Sequence, residues 1–277
     1  MTDTPTQPST TPRGDLLPRV ISSIILAPII LAAVWYGGWP LTILGAVASV
    51  VILLEWLHIT GMDWRTPIGV GGAVAVAAAV LVAGWLVPAA IVIAAVAAVV
   101  VYALAQRGWV ALGLIYAPLM AVSLLTLRPD PAFGLAAVFF VLAVVWATDI
   151  GAYAAGRTLG GPKLWPVVSP KKTWSGFVGG LIAALIAGIV VALVAGARPG
   201  LTIGLLSVVV SLACQAGDLF ESALKRQFGV KDASHLIPGH GGLMDRVDGL
   251  TFAAPLAALI GYIHGGAGHI GEGLLVW

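Results

Sequence analysis

Long apolar stretches separated by short breaks dominate the chain. They run from Arg19 to Trp35, Leu41 to Ile59, Ile68 to Leu86, Pro88 to Leu104 and Trp109 to Leu127. Four more follow at Phe133 to Ala155, Phe177 to Ala195, Leu201 to Phe220 and Leu250 to His264, the last somewhat short. Most approach the roughly 20 apolar residues that a helix needs to cross a bilayer. The breaks carry residues that stop helices: Gly37-Gly38-Trp39-Pro40, Gly61-Met62-Asp63-Trp64, Val87-Pro88 and Arg128-Pro129-Asp130-Pro131. The pattern predicts an all-α polytopic integral membrane bundle of about nine transmembrane helices. Its segments are a tail over 1–17, N-terminal membrane helices over 18–131 and a C-terminal region over 132–277, which holds polar loops at 156–174 and 221–249. The tail begins MTDTPTQPSTTPRGD. It is rich in Thr and Pro with no apolar run, which predicts a disordered segment rather than a cleaved signal peptide.

Composition agrees with the periodic pattern. Only 9% of residues are charged, the mean hydropathy is +1.03, and a soluble domain carries about one quarter charged residues. A net charge of +2, with its cations dispersed, gives no footprint for nucleic acid. Cys214 is the one cysteine, so an intrachain disulfide and a cysteine-based zinc site are both excluded; in its apolar run it reads as a small core residue.

Cations set the expected orientation. With a cytoplasmic N-terminus, Arg13, Arg19, Arg65, Arg107, Arg157, Lys163, Lys171, Lys172, Lys225, Arg226, Lys231 and Arg246 all fall inside, and only Arg128 and Arg198 outside. Both polar loops then face the cytoplasm, where soluble nucleotides are available.

Charge is most concentrated in Ser222 to Asp248, SALKRQFGVKDASHLIPGHGGLMDRVD. Asp245 and Asp248 stand at i and i+3, on one face if the segment is helical, an arrangement suited to a hard divalent cation. Asp218 and Glu221 repeat the spacing at the end of the eighth apolar run. Intramembrane acids are expensive and ask for an account. A helix-end salt bridge with Lys225 is the plain one, and four carboxylates bracketing a metal is the sharper one. Asp149 is expected to end the sixth helix at the same membrane face. Glu55, mid-helix in LLEWLH, is expected to pack against a polar partner, with His58 beside it. The loop GRTLGGPKLWPVVSPKKTWSGFVGG sets Lys171, Lys172 and Thr173 just before a helix, a natural phosphate seat, although the Walker A spacing is absent. His235 and His240 suit scaffolding or phosphate contacts in oxygen-rich surroundings that favour magnesium over zinc. His264 and His269 lie in a glycine-rich tail on the other side.

These residues resemble the signature of the phosphatidate cytidylyltransferase, or CDP-diacylglycerol synthase, family. The resemblance is carried by Ser222, Lys225-Arg226, Lys231-Asp232, Pro238, His240-Gly241-Gly242, Asp245-Arg246 and Asp248, together with DIGAYAAGR and SPKKTW. It spans about Asp149 to Asp248, and Ser175 stands where relatives commonly carry Glu. The resemblance implies transfer of a cytidylyl group from CTP to phosphatidic acid for phospholipid biosynthesis, with pyrophosphate released. It implies magnesium, with a second metal ion allowed for, and a homodimer in the inner (plasma) membrane. By the same resemblance Asp218 and Asp245 would be the main metal ligands, supported by Asp248 and Glu221. Lys171, Lys172, Thr173, Ser222, Lys231, His240, Gly241 and Gly242 would bind substrate. Lys225, Arg226 and Arg246 would act on the phosphates during transfer. The cleft should open to water and sideways to the inner leaflet. A CTP-dependent polyprenol or phytol-type lipid kinase and a cation or proton transporter are the alternative readings.

Overall fold

The computed structural model describes residues 27–234 and 241–277. The tail, Arg13, Arg19, His235, Pro238 and His240 lie outside the described residues. The helices are α1 (Ala27–Tyr36), α2 (Gly38–Ile59), α3 (Pro67–Ala83), α4 (Val87–Ala105), α5 (Gly108–Leu127) and α6 (Gly134–Leu159). A hairpin of β1 (Lys163–Trp165) and β2 (Ser169–Thr173) precedes α7 (Trp174–Val194), α8 (Leu201–Gln227), α9 (Met244–Gly265) and α10 (Ile270–Leu275). Seven helices, α2, α4, α5, α6, α7, α8 and α9, are long and apolar enough to cross a membrane. The protein is thus a polytopic membrane protein. Of the other two expected spans, α3 has 17 residues because Gly84-Trp85-Leu86 leaves the helix before Pro88, and α1 is described only from Ala27.

Apolar residues face outward as well as inward. Ile91, Val92, Val96 and Val99 of α4, and Ile182, Ile186 and Val190 of α7, are exposed, as expected where lipid rather than water lies outside. The core holds Ile52, Leu53 and Trp56 of α2, Leu114 of α5, Phe140 of α6 and Ile203 of α8. Lipid offers no hydrophobic drive for helices to associate, so close backbone packing matters. A methyl on Gly151 of α6 would stand 2.5 Å from Ala183 Cβ, and one on Gly176 of α7 2.8 Å from the Ala152 carbonyl oxygen.

Hydrogen bonds tie the two ends of the bundle. At one end Arg107 Nη1 donates to the Gly61 carbonyl at 3.2 Å and Trp56 Nε1 to the Trp109 carbonyl at 2.7 Å. At the opposite end Arg128 donates to the carbonyls of Val34 at 2.7 Å and Trp35 at 2.6 Å. There Asp130 accepts from the amides of Ala132, Phe133 and Glu272. Burial alone would push the Asp130 carboxyl up, but these amides outweigh it and hold the group below its ordinary value. The glycine-rich tail is ordered as α10, with the His264 ring stacked on Trp277 at 4.0 Å and His264 Nδ1 2.9 Å from the Gly273 carbonyl oxygen.

Three local expectations change. The 156–174 loop is a β-hairpin, because α6 runs on to Leu159 and the positive φ of Gly160 and Gly161 turns the chain back. The membrane part remains all helical. Asp149 does not end the sixth helix, which continues to Leu159. His58, expected beside Glu55, is exposed whereas Glu55 is buried.

Candidate active site

The 221–249 segment is less of a loop than its polarity suggests. Helix α8 extends to Gln227 and α9 begins at Met244, so Glu221, Ser222, Lys225 and Arg226 are helical, as are Asp245 and Asp248. The i, i+3 reading of both acid pairs holds. Acids in the first turns of α9 also lie at the favourable end of its dipole.

Two glycines let α8 and α9 come together at these acids. A methyl on Gly217 would collide with the carbonyl oxygen of Asp248, and one on Gly249 would stand 2.5 Å from Cys214 Sγ. Gly217 directly precedes Asp218, and Gly249 directly follows Asp248. This adjacency was a signal in the sequence that charge counting alone passes over. Gly217→Ala is expected to force the helices apart and lower turnover by roughly 100-fold, since misplacement by about 1 Å costs that much. Turnover by the purified variant, still folded by thermal unfolding, checks it.

Charges then interlock across elements. Lys225 Nζ lies 2.5 Å from Asp245 Oδ1 and 3.1 Å from Glu221 Oε1. The other Asp245 oxygen accepts from the amides of Gly242 at 3.0 Å and Ala233 at 3.1 Å. Lys172 Nζ of β2 lies 2.5 Å from Asp218 Oδ2, and Ser222 Oγ donates to Asp218 Oδ1 at 3.4 Å. Asp248 is in electrostatic contact with Glu221 and Asp218. Asp149 of α6 interacts with Asp218 and Lys172, and the Cys214 thiol, otherwise a buried core group, reaches Asp149 Oδ1 at 3.9 Å. Five carboxylates from three helices thus share one neighbourhood with two lysines, Lys172 and Lys225.

The remaining expected residues divide. Thr173 is buried, and its hydroxyl accepts from the Gly176 amide at 3.1 Å, capping α7. Ser175 donates to the Gly160 carbonyl and lies 3.0 Å from Thr173 Oγ1, which binds the hairpin base to the end of α6. The residue that stands in place of the commoner Glu therefore has a local task. Lys171, Arg226, Lys231 and Arg246 are exposed around the rim, with Arg226 Nη1 donating to the Val230 carbonyl at 3.4 Å. Gly241 takes φ +82°, open to glycine, and Gly242 is buried against Glu55 and Ala233.

Among the described residues no three carboxylate, histidine or cysteine side chains already form a cation cage. Magnesium does not need one, because it is held by one or two carboxylates together with substrate phosphates and water. Hard oxygen donors in excess over the cations touching them fit that ion.

Comparison with known proteins bears on what the arrangement is for. The sequence model described as "Cytidylyltransferase family" matches residues 17–264. The chain belongs to the cytidylyltransferase family. It is 41% identical over 261 residues to the phosphatidate cytidylyltransferase of Brucella suis biovar 1, covering 90% of this chain and 94% of that one. The figures for the phosphatidate cytidylyltransferase of Brucella melitensis biotype 1 are the same. The phosphatidate cytidylyltransferase of Bacillus subtilis is 38% identical over 151 residues, 54% of this chain and 56% of that one. The cytidylyltransferase match takes in α2 to α5 as well as the acid-bearing helices, a wider span than the polar motifs suggested.

Proposed function

We propose that this family member transfers the cytidylyl group of CTP to phosphatidic acid, forming CDP-diacylglycerol and releasing pyrophosphate. The observation that carries the reading is the interlocked set of five carboxylates and two lysines at one end of a membrane bundle, in a chain of this family. Both substrates are polyanions, and one is anchored in lipid, so a site at a membrane face that joins lysines to carboxylates able to hold a divalent cation meets the requirement.

The phosphate monoester of the lipid has a second pKa of about 6 and is largely dianionic at neutral pH, so no strong general base is needed. One of its oxygens attacks the α-phosphorus of CTP. The new P–O bond forms as the bond from that phosphorus to the bridging oxygen of the β-phosphate breaks, and pyrophosphate leaves with the electron pair. The main barrier is repulsion between anions. Lys172 and Lys225, both held by carboxylates, would turn to the phosphates as these arrive, with Arg226 and Arg246 at the rim. Magnesium, when bound, would neutralise phosphate charge and assist departure of the pyrophosphate. Asp218 and Asp245 would hold it, with Asp248 and Glu221 in support, and Asp245 would first have to release Lys225.

The site end also gathers ten of the twelve described cations, since only Arg128 and Arg198 belong to connections at the other end. This supports a cytoplasmic site.

The test uses CTP labelled separately at the α and γ phosphates, with phosphatidic acid, magnesium and purified protein. Alpha label should enter the lipid while gamma label leaves as pyrophosphate. Gamma label in the lipid would make the protein a lipid kinase. No turnover, with ion uptake in sealed vesicles lacking nucleotide, would favour a transporter.

A further inference from the structure

Glu55 is 4% exposed and sits in α2, far in sequence from every acid described above. Its Oε1 accepts from Ser234 Oγ at 2.5 Å and from the Leu243 amide at 2.9 Å, and its Oε2 accepts from the Met244 amide at 2.7 Å. A buried carboxylate is costly unless hydrogen-bonded, and here both oxygens are used.

Two features separate this from ordinary packing. First, α9 has no side-chain cap of its own, since Leu243 stands at its N-cap position. A local Ser or Asp would satisfy the free amides there, yet the acceptor comes from another helix. Second, capping does not require the bond to Ser234. Glu55 joins Ser234 to Leu243 and Met244, and Asp245 joins Ala233 to Gly242. The two carboxylates therefore close the same neck, between Ala233–Ser234 on one side and Gly242–Met244 on the other. The approach is close enough that a methyl on Gly242 would stand 2.9 Å from Glu55 Oε1. Asp245 divides its oxygens between this neck and Lys225, whereas the Glu55 contacts are to a hydroxyl and two amides of the neck.

We propose that Glu55 is a positioning residue for nucleotide binding: it clasps Ser234 to Leu243 and Met244, so that the start of α9, with Asp245 in its first turn, keeps its place when Asp245 and Lys225 turn to their ligands. The inference rests on the cytidylyltransferase reading given above. It makes the N-terminal helices part of the site, although the residues that touch phosphate come from the C-terminal half.

The test compares full-length wild type with Glu55→Gln and Glu55→Asp in lipid nanodiscs. Gln keeps the shape but turns an amide donor toward a backbone donor. For Glu55→Gln, KM for CTP should rise about tenfold or more, as expected for loss of a charge-assisted hydrogen bond. KM for phosphatidic acid should stay unchanged. Hydrogen exchange should quicken at Leu243 and Met244 and match wild type elsewhere. Glu55→Asp, which retains the charge, should recover part of the CTP affinity. An unchanged KM for CTP with unchanged exchange would overturn the proposal. So would loss of activity at unaltered KM with protection lost throughout the chain, the mark of a residue that only holds the fold. If wild type itself transfers no label from CTP, the substrate reading has failed. The exchange at Leu243 and Met244 then decides the clasp alone, quickening supporting it and wild-type exchange overturning it.

Discussion

Asp218→Asn is expected to reduce cytidylyl transfer by about 10³-fold, the scale seen when one preorganised electrostatic group is removed from an active site. Asp218 is where the other groups meet: Lys172 at 2.5 Å, Ser222 at 3.4 Å, and Asp149 and Asp248 in electrostatic contact. The amide keeps the size of the carboxylate and removes its charge. The Asp218 side chain is 35% exposed, so its ion pair with Lys172 is screened and should contribute under about 1 kcal/mol to stability. Activity should therefore collapse while the thermal midpoint in detergent barely moves. Transfer of α label from CTP into lipid, measured beside thermal unfolding, checks both halves. A variant retaining a tenth or more of wild-type turnover would remove Asp218 from the reacting centre.

Lys225→Met is expected to act on stability and activity together. The Lys225 side chain is 13% exposed and lies between Glu221, at 1%, and Asp245, at 11%. Removing the ammonium leaves two buried carboxylates facing each other with no cation between them. Breaking a buried pair in this way costs about 3–5 kcal/mol, equivalent to a midpoint lowered by roughly 10 °C. Methionine keeps most of the stem's volume, so the loss reports charge rather than a cavity. The double variant Lys225→Met/Glu221→Gln should regain a good part of the stability and none of the turnover, because one uncompensated charge is gone while the phosphate-directed ammonium is still missing. If the double variant were no more stable than the single one, Glu221 would not be the group that Lys225 neutralises. A double variant with restored turnover would show that the lysine acts only as a structural counter-charge.

Much of the candidate site could be read from residue types. Asp218, Glu221, Lys225, Asp245 and Asp248 stood out because charge is expensive in an apolar chain, and their i, i+3 spacing needed only that the segments be helical, as they are. Lys172 was expected at a phosphate seat, and its pairing with Asp218 brings that loop to the acids. Other features required distances between elements. Nothing local shows that Thr173 is used up as a cap, that Ser175 fastens the hairpin to α6, or that Asp149 lies within a helix that runs on past it. In the sequence Glu55 reads only as an acid in want of a polar partner, and its partners are a hydroxyl and two backbone amides at sequence separations of 179, 188 and 189.

The amino-acid sequence by itself determined the membrane bundle and the chemical character of its polar end. An apolar run of sufficient length can satisfy its backbone inside a bilayer only as a helix, and a charged cluster survives in such a chain only at a membrane face or within a paired site. Tertiary structure decided which charges meet. Gly217 and Gly249 set how closely α8 and α9 approach, the hairpin carries Lys172 to Asp218, and α2 delivers Glu55 to the start of α9. These are matters of spacing between helices, fixed by close packing of small residues across the bundle, and no single segment contains them.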